Sequence, residues 1–287
     1  MALDYERLLN WPFDEVRQTY TVRDTILYAL GLGFGFRPTD PEDLRFVYEK
    51  ELRAFPTMPV VLGHPGSWMT DPGTGIDFLK VLHGEQQLEI HAPLPPEGTI
   101  VARNRVAEVI DKGEGRGALV HVERKIFAGE SGEHFSTQTA VIFARNNGGF
   151  GGPVTSSPKP QALPDRPPES AVDIPVSSQA ALLYRLSGDY NPLHADPEVA
   201  KKAGFPAPIL HGLASYGMAA RAVLQVLGIQ DATRLRSFGL RFSAPIFPGE
   251  TIRTEIWQDG DEVSFRARVP ARDTVVLNNG RAVIAQA

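Results

Sequence analysis

The sequence predicts an α+β protein built twice: two antiparallel sheets, each wrapped around a helix, lying side by side in one chain. Three observations lead there. Strand-like alternation with glycine-rich turns fills 77–145 and returns over 235–287. A helical period precedes each of these runs. Two short stretches also recur in nearly one register. ILYALG at 26–31 matches LLYRLS at 182–187, an offset of 156, and APLPPEGTI at 92–100 matches APIFPGETI at 244–252, an offset of 152. A period this long indicates duplication, since solenoid repeats are far shorter.

The elements follow in order. Residues 1–20 form a short amphipathic lead-in. TVRDTILYALGL, 21–32, reads as a helix that Thr21 caps, with Ile26, Leu27 and Leu30 on one face. The glycines after it make no dinucleotide fingerprint, because no strand precedes them. VLHGEQQLEIHAPL, TIVARNRVAEVIDKG, RGALVHVERKIFAGE and EHFSTQTAVIFAR form an antiparallel meander turning at KGEGRG and GESGEH. Residues 147–170 are rich in proline and glycine without an apolar period, which marks a linker. The predicted division is therefore 1–146, the linker 147–170, and 171–287. A helix begins near Ser178, and a second, LASYGMAARAVLQVL, ends at Gly228. Four further strands follow, with turns at QDGDE and LNNGR.

Composition sets limits. The chain has 287 residues, 42% of them hydrophobic, enough to bury a sizeable core. A net charge of −5 without a basic run argues against nucleic acid as a partner. The absence of cysteine excludes disulfides and thiolate chemistry, and the seven histidines show no metal-ligand spacing. No apolar run is long enough for a membrane span. The N-terminus lacks a signal peptide's plan and VIAQA is not a Ser-Lys-Leu address, so a cytoplasmic location is expected.

Chemistry concentrates in SGDYNPLHADPEVAKKAGFPAPILHG, 187–212. Asp189, Asn191 and His194 lie within six residues, and Gly188, Asn191 and Pro192 make this a tight turn. Asp and Asn in a turn also serve as Asx-type hydrogen bonders. The combination with His194 points further, to a carboxylate, an amide and an imidazole aimed at one place. Gly212 opens the following helix, with a free N–H at the positive end of its dipole. An acid/base pair beside such a donor suits chemistry next to a thioester carbonyl. At the offset of 156, Asp189 falls on Gly33 and His194 on Pro38, so the first half lacks this pair. The repeated LHG at 82–84 and 210–212 breaks the register, with an offset of 128.

The run YRLSGDYNPLH, 184–194, resembles the signature of the R-specific enoyl-CoA hydratases (hydratase 2) of the MaoC-like dehydratase family. The likeness extends through GFPAPILHGLASYG, RFSAPIFPGETI, VLHGEQQLEI and DKGEG, most of the chain. It implies two hot-dog folds and reversible hydration of a trans-2-enoyl-CoA to the (3R)-3-hydroxyacyl-CoA. Asp189 and His194 would be the catalytic pair, Asn191 would orient the water or a side chain, and the Gly212 N–H would hold the thioester oxygen. His83, Gly84, Lys112, Tyr190, Pro192, Leu193 and Phe242 would bind substrate, with Lys112 suited to a coenzyme A phosphate. The first half would shape an acyl pocket for medium or long chains. Neither metal nor redox cofactor is implied, since coenzyme A is part of the substrate. Hot-dog sheets often associate, so a homodimer is compatible. The rival expectations are a hydratase of a specialised thioester (branched, dicarboxylic, steroid side chain or acyl-carrier-protein), a hot-dog thioesterase, and a non-catalytic acyl-CoA-binding module.

Overall fold

A computed structural model describes residues 3–154, 162–228 and 232–286. The first half contains α1 (Tyr5–Leu9), β1 (Val16–Tyr20), α2 (Val22–Gly31), α3 (Pro41–Val47), β2 (Val81–Ile90), β3 (Gly98–Asp111), β4 (Ala118–Ala128) and β5 (His134–Ala144). The second contains β6 (Ser170–Pro175), α4 (Ala180–Tyr184), α5 (Pro197–Lys202), α6 (Gly212–Val226), β7 (Leu235–Phe242), β8 (Thr251–Asp259), β9 (Glu262–Val269) and β10 (Thr274–Ile284). All ten strands join one sheet in the order β1-β3-β4-β5-β2-β7-β10-β9-β8-β6. Read outward from the middle, the two halves have the same order, so the duplication holds at the level of topology. Each half is a hot-dog unit, and antiparallel pairing of β2 with β7, Glu85 opposite Arg241 through Glu89 opposite Ser237, makes the seam.

Local chemistry explains the helices. Asp24 accepts from both the N–H and the hydroxyl of Thr21 at 2.8 Å, fixing the start of α2. Eleven of the fifteen residues of α6 are buried, which suits a helix enclosed by a sheet and not one lying on a surface. Its alanines and glycines allow close approach, and Tyr216 donates its hydroxyl to Phe238 O at 2.6 Å. Arg221 is the one charged residue on α6, and it makes a bidentate pair with the buried Asp43 of the first half, 3.0 and 3.1 Å. Among the described residues no helix is long and apolar enough to cross a membrane.

The sheet's inner face differs between the halves. In the second half Ile256, Phe265 and Gly280 lie in one row across β8, β9 and β10. Phe265 stacks on Phe238 at 4.7 Å, and its ring fills the space a side chain at Gly280 would need. The corresponding row of the first half, by the same register, is Asn104, Arg124 and Gln138 on β3, β4 and β5. Among the described residues no counterpart of α6 covers it. An irregular segment with a short 3-10 turn at Met58–Val61 takes that place. A helix satisfies its own carbonyls, whereas an irregular segment needs outside donors. Gln138 donates to Pro59 O at 2.8 Å, and Arg124 donates to Leu62 O at 2.9 Å and to Asn104 Oδ1 at 3.0 Å.

Four sequence expectations change. The lead-in contains a helix and an edge strand, since VRQTY is short and pairs on one side only. The helix from Ser178 shrinks to α4 and a 3-10 turn at Arg185–Ser187. The expected turn at LNNGR is instead a bulge inside β10: the ladder to β7 shifts between Asn278 and Arg281, and Asn279 takes φ 50°. Part of the linker is packed, because the buried Asp111 carboxylate accepts from Gly149 N and Gly151 N at 2.7 and 2.9 Å. Those bonds, with one from Gly113, outweigh burial and lower the Asp111 pKa. Linker residues 155–161 lie outside the described residues.

Candidate active site

The chemistry-bearing turn begins where the 3-10 turn stops. Gly188 takes φ 117°, which only glycine adopts without strain, and reverses the chain toward Asp189. The Asx reading and the catalytic geometry then coexist. Asp189 Oδ1 accepts from Asn191 N at 3.1 Å, and Asn191 Oδ1 accepts from Leu193 N at 3.0 Å. The second of these caps a 3-10 turn, Pro192–His194, that carries His194 inward. Asp189 Oδ2 is left free of the turn and stands 4.0 Å from His194 Nε2.

His194 is buried, and its Nδ1 lies 2.8 Å from Ile209 O. A carbonyl only accepts, so Nδ1 carries the proton and Nε2 presents a lone pair toward Asp189. Burial lowers the His194 pKa, partly opposed by its bond to Ile209 O and the charge of Asp189. His211, which the sequence reading used only as a helix boundary, belongs to this cluster. Its ring stacks on His194 at 3.7 Å, and its Nε2 donates to Asp189 O at 3.1 Å. Burial and then the neighbouring His194 push its pKa down to about 4, and its buried Nδ1 has no partner among the described residues. One contact to each catalytic candidate makes His211 a clamp on both. Stacking between residues 17 apart leaves no local mark in sequence.

Gly212 follows directly as the first residue of α6, and its N–H has no backbone acceptor. A Cβ on Gly212 would lie 3.2 Å from the Phe242 ring, so glycine is what lets this aromatic cover the helix end. Phe242 in turn contacts His83 edge-on at 4.9 Å. His83 lies near the start of β2 and Phe242 ends β7, so the site lies where the halves meet. His83 Nε2 is buried without a partner among the described residues, and burial lowers the His83 pKa to about 4. Gly84 sits in the bulge that separates His83 from Glu85 in the ladder.

The structure thus brings together Asp189, His194, Gly212, His83, Gly84 and Phe242. Asn191 and Leu193 hold the turn. Tyr190 and Pro192 are exposed on its outer side, with Arg185 over the Tyr190 ring at 5.0 Å. Lys112 is exposed at the same end of the sheet, in the turn that follows β3, the strand three places from β2. Asp189, His194 and His211 each place one donor atom within 4.8 Å of the others, the set of described residues that could hold a cation. Two of their nitrogens are already committed to backbone carbonyls.

Comparison with known proteins places this geometry. Residues 159–279 match the MaoC like domain, and residues 18–146 match the MFE-2 hydratase 2 N-terminal domain. Enoyl-CoA hydratase ChsH3 of Mycobacterium tuberculosis is 39% identical over 285 residues, covering 98% of both chains. Enoyl-CoA hydratase 2, peroxisomal, of Arabidopsis thaliana is 37% identical, covering 94% of this chain and 92% of its own. The mouse peroxisomal multifunctional enzyme type 2 is 38% identical over 91% of this chain, which spans only 36% of that longer protein. A solved MaoC-like dehydratase from Phytophthora capsici superposes with a TM-score of 0.86 at 36% identity, covering 98% and 99% of the two chains. A Mycobacterium tuberculosis structure described as a double hotdog fold, with a TM-score of 0.54 at 13% identity, supports the fold alone.

These relatives correct one expectation. The cytoplasmic location rested on missing signals, and the mouse and Arabidopsis relatives are named as peroxisomal. Addresses are short, receptor-read segments outside the packed fold, so core chemistry does not reveal them. Fold, seam and site motif agree with the comparisons on both halves: the chain belongs to the MaoC-like dehydratase family and is related to the hydratase 2 domain of peroxisomal multifunctional enzyme type 2.

Proposed function

We propose that this enzyme reversibly adds water to a trans-2-enoyl-CoA, giving the (3R)-3-hydroxyacyl-CoA. The observation that carries the reading is the Asp189–His194 gap beside the Gly212 N–H. Two acceptors 4.0 Å apart hold one water by two bonds of about 2.8 Å. That water's oxygen adds to C3. The pair takes one proton from it and returns one to C2, acting as a coupled unit. The Gly212 N–H, at the positive end of α6, stabilises charge as it builds on the thioester oxygen. Hydration transfers no electrons, so the reading calls for no redox cofactor, and the pair and the N–H supply the chemistry without a metal.

His211 keeps His194 and Asp189 in place. The unpartnered His83 Nε2 marks a polar contact for the ligand, and Phe242 walls the pocket. Lys112 would meet a coenzyme A phosphate at the mouth, a role that its exposure and charge support, with Tyr190, Pro192 and Leu193 on the rim. Residues 171–287 form the catalytic unit and residues 1–146 the acyl-binding unit, joined by 147–170.

The test is loss of enoyl absorbance with crotonyl-CoA and trans-2-decenoyl-CoA, for wild type and Asp189→Asn. Rapid loss that falls at least about a hundredfold in the variant is expected. Equal rates for the two proteins, or no loss with either thioester, would discard the reading.

A further inference from the structure

The polar row of the first half contains a cation without an anion. Among the described residues Arg124 has no carboxylate within ion-pair distance. Its Nε reaches Asn104 Oδ1, and its Nη1 reaches Leu62 O at 2.9 Å and Val60 O at 3.4 Å. No partner is found for Nη2 among the described residues, and Arg124 is only partly buried, so this nitrogen is not sealed in. Burial lowers the guanidinium pKa only to about 10, which leaves it charged at neutral pH. A charged guanidinium with an unused N–H edge can take a carboxylate by a charge-assisted bond.

The surroundings connect this cation to the candidate active site. Arg124 lies on the inner face of β4 opposite Gln138, and Gln138 lies 3.5 Å from Gln86 of β2. The same face of β2 carries His83, which touches Phe242 and so the Gly212 end of α6. The charges of Arg124 and Asp189 both act on His83 and on His64, so the two histidines lie in a field set from both ends. From His83 to Arg124 is two strands across and four residues along. At ~4.8 Å per strand and ~3.3 Å per residue that is about 16 Å between backbone positions, and the length of the Arg124 side chain shortens this to the reach of an acyl chain of medium length. Nη1 anchors the irregular segment at Val60 and Leu62 and Nε binds Asn104, which leaves Nη2 unexplained. In the second half the same position is Phe265, buried in apolar contacts.

Building on the hydratase reading, we infer that Arg124 ends the acyl site and receives a carboxylate at the far end of the chain, so that the preferred substrates are enoyl thioesters of dicarboxylic acids. The carboxylate would meet Nη2, on the side of the guanidinium turned away from Asn104 and Leu62. An arginine binds a carboxylate more directionally than a lysine does, through its planar fork.

The experiment compares kcat/KM for trans-2-decenoyl-CoA and its ω-carboxyl analogue trans-2-decenedioyl-CoA. Wild type should favour the dicarboxylic thioester by roughly tenfold or more, the scale of one charge-assisted contact. That ratio should collapse toward one in Arg124→Met and be partly kept in Arg124→Lys. A wild-type preference for the methyl-ended chain, or an unchanged ratio in Arg124→Met, overturns the inference, and the wild-type arm stands even if the methionine variant does not fold. If neither thioester is hydrated, the hydratase reading fails separately. Calorimetric binding of saturated decanedioyl-CoA against decanoyl-CoA then decides the Arg124 site alone: tighter binding of the diacid, lost in Arg124→Met, supports it, and equal binding overturns it.

Discussion

The two halves share a strand order and a register, yet their inner faces carry opposite chemistry. In the second half Ile256, Phe265 and Gly280 meet a long helix, and the contact is apolar. In the first half Asn104, Arg124 and Gln138 meet an irregular segment, and the contact is made of donors to carbonyls. The difference shows what losing a helix demands of a sheet. The carbonyls of Pro59, Val60 and Leu62 take side-chain donors from the sheet, Pro59 O in addition to its local bond from Leu62 N, and three polar side chains replace what three apolar positions do across the seam. The division extends to the chemistry: Asp189 and His194 align with Gly33 and Pro38, neither of which carries a titratable side chain.

The largest effect should come from that last contrast. His194→Gln should lower the hydration rate by at least about a hundredfold, while Pro38→Ala at the exposed matching position stays within about twofold. Comparable losses in steady-state rate at both positions would break the distinction. The tie between halves comes next. Arg221→Met takes the nearer cation from the buried Asp43 and leaves it Arg37 at 3.6 Å and the Gly35 N–H, which should destabilise the fold by up to about 3 kcal/mol in denaturant unfolding. The double replacement Arg221→Met with Asp43→Leu should recover part of that loss.

Gly212→Ala is a smaller, local test of the seam. The new methyl would press on Phe242 at 3.2 Å and move the ring from the helix end. A fall of about tenfold in kcat/KM is expected, eased by Phe242→Leu; an unchanged rate would mean that Phe242 does not define the pocket. The mildest prediction concerns pH. His83 and His211 are held neutral down to about pH 4 by burial, against an unfolded value near 6.5. The unfolded chain therefore binds more protons between these values. Stability is complete above pH 6.5 and is lost as pH falls toward 4. Thermal midpoints across pH 7.5 to 4.5 should drop, and the drop should shrink in His83→Leu.

Much of this was readable from residues alone. The run 184–194, the helix opened by Gly212 and the register of the repeats located the fold and the catalytic turn, because each rests on local chemistry: φ at Gly188, the Asx bonds of Asp189 and Asn191, the apolar period of α6. What escaped was non-local. His211 stacks on a residue 17 positions earlier, Asp111 gathers N–H groups from 38 and 40 residues away, and Arg124 reads as one more charged residue on an alternating strand. LNNGR has the composition of a turn, and only pairing with strands on both sides holds it as a bulge.

The β2–β7 seam has one more consequence. Two identical hot-dog chains would hold two copies of every site, and no substitution could alter one copy without altering the other. Joining the copies in one hydrogen-bonded sheet fixes the stoichiometry at one acid/base set and one divergent wall per polypeptide. Each half is then free to accumulate changes its twin could not tolerate, and substrate range can evolve without touching the proton-transfer groups.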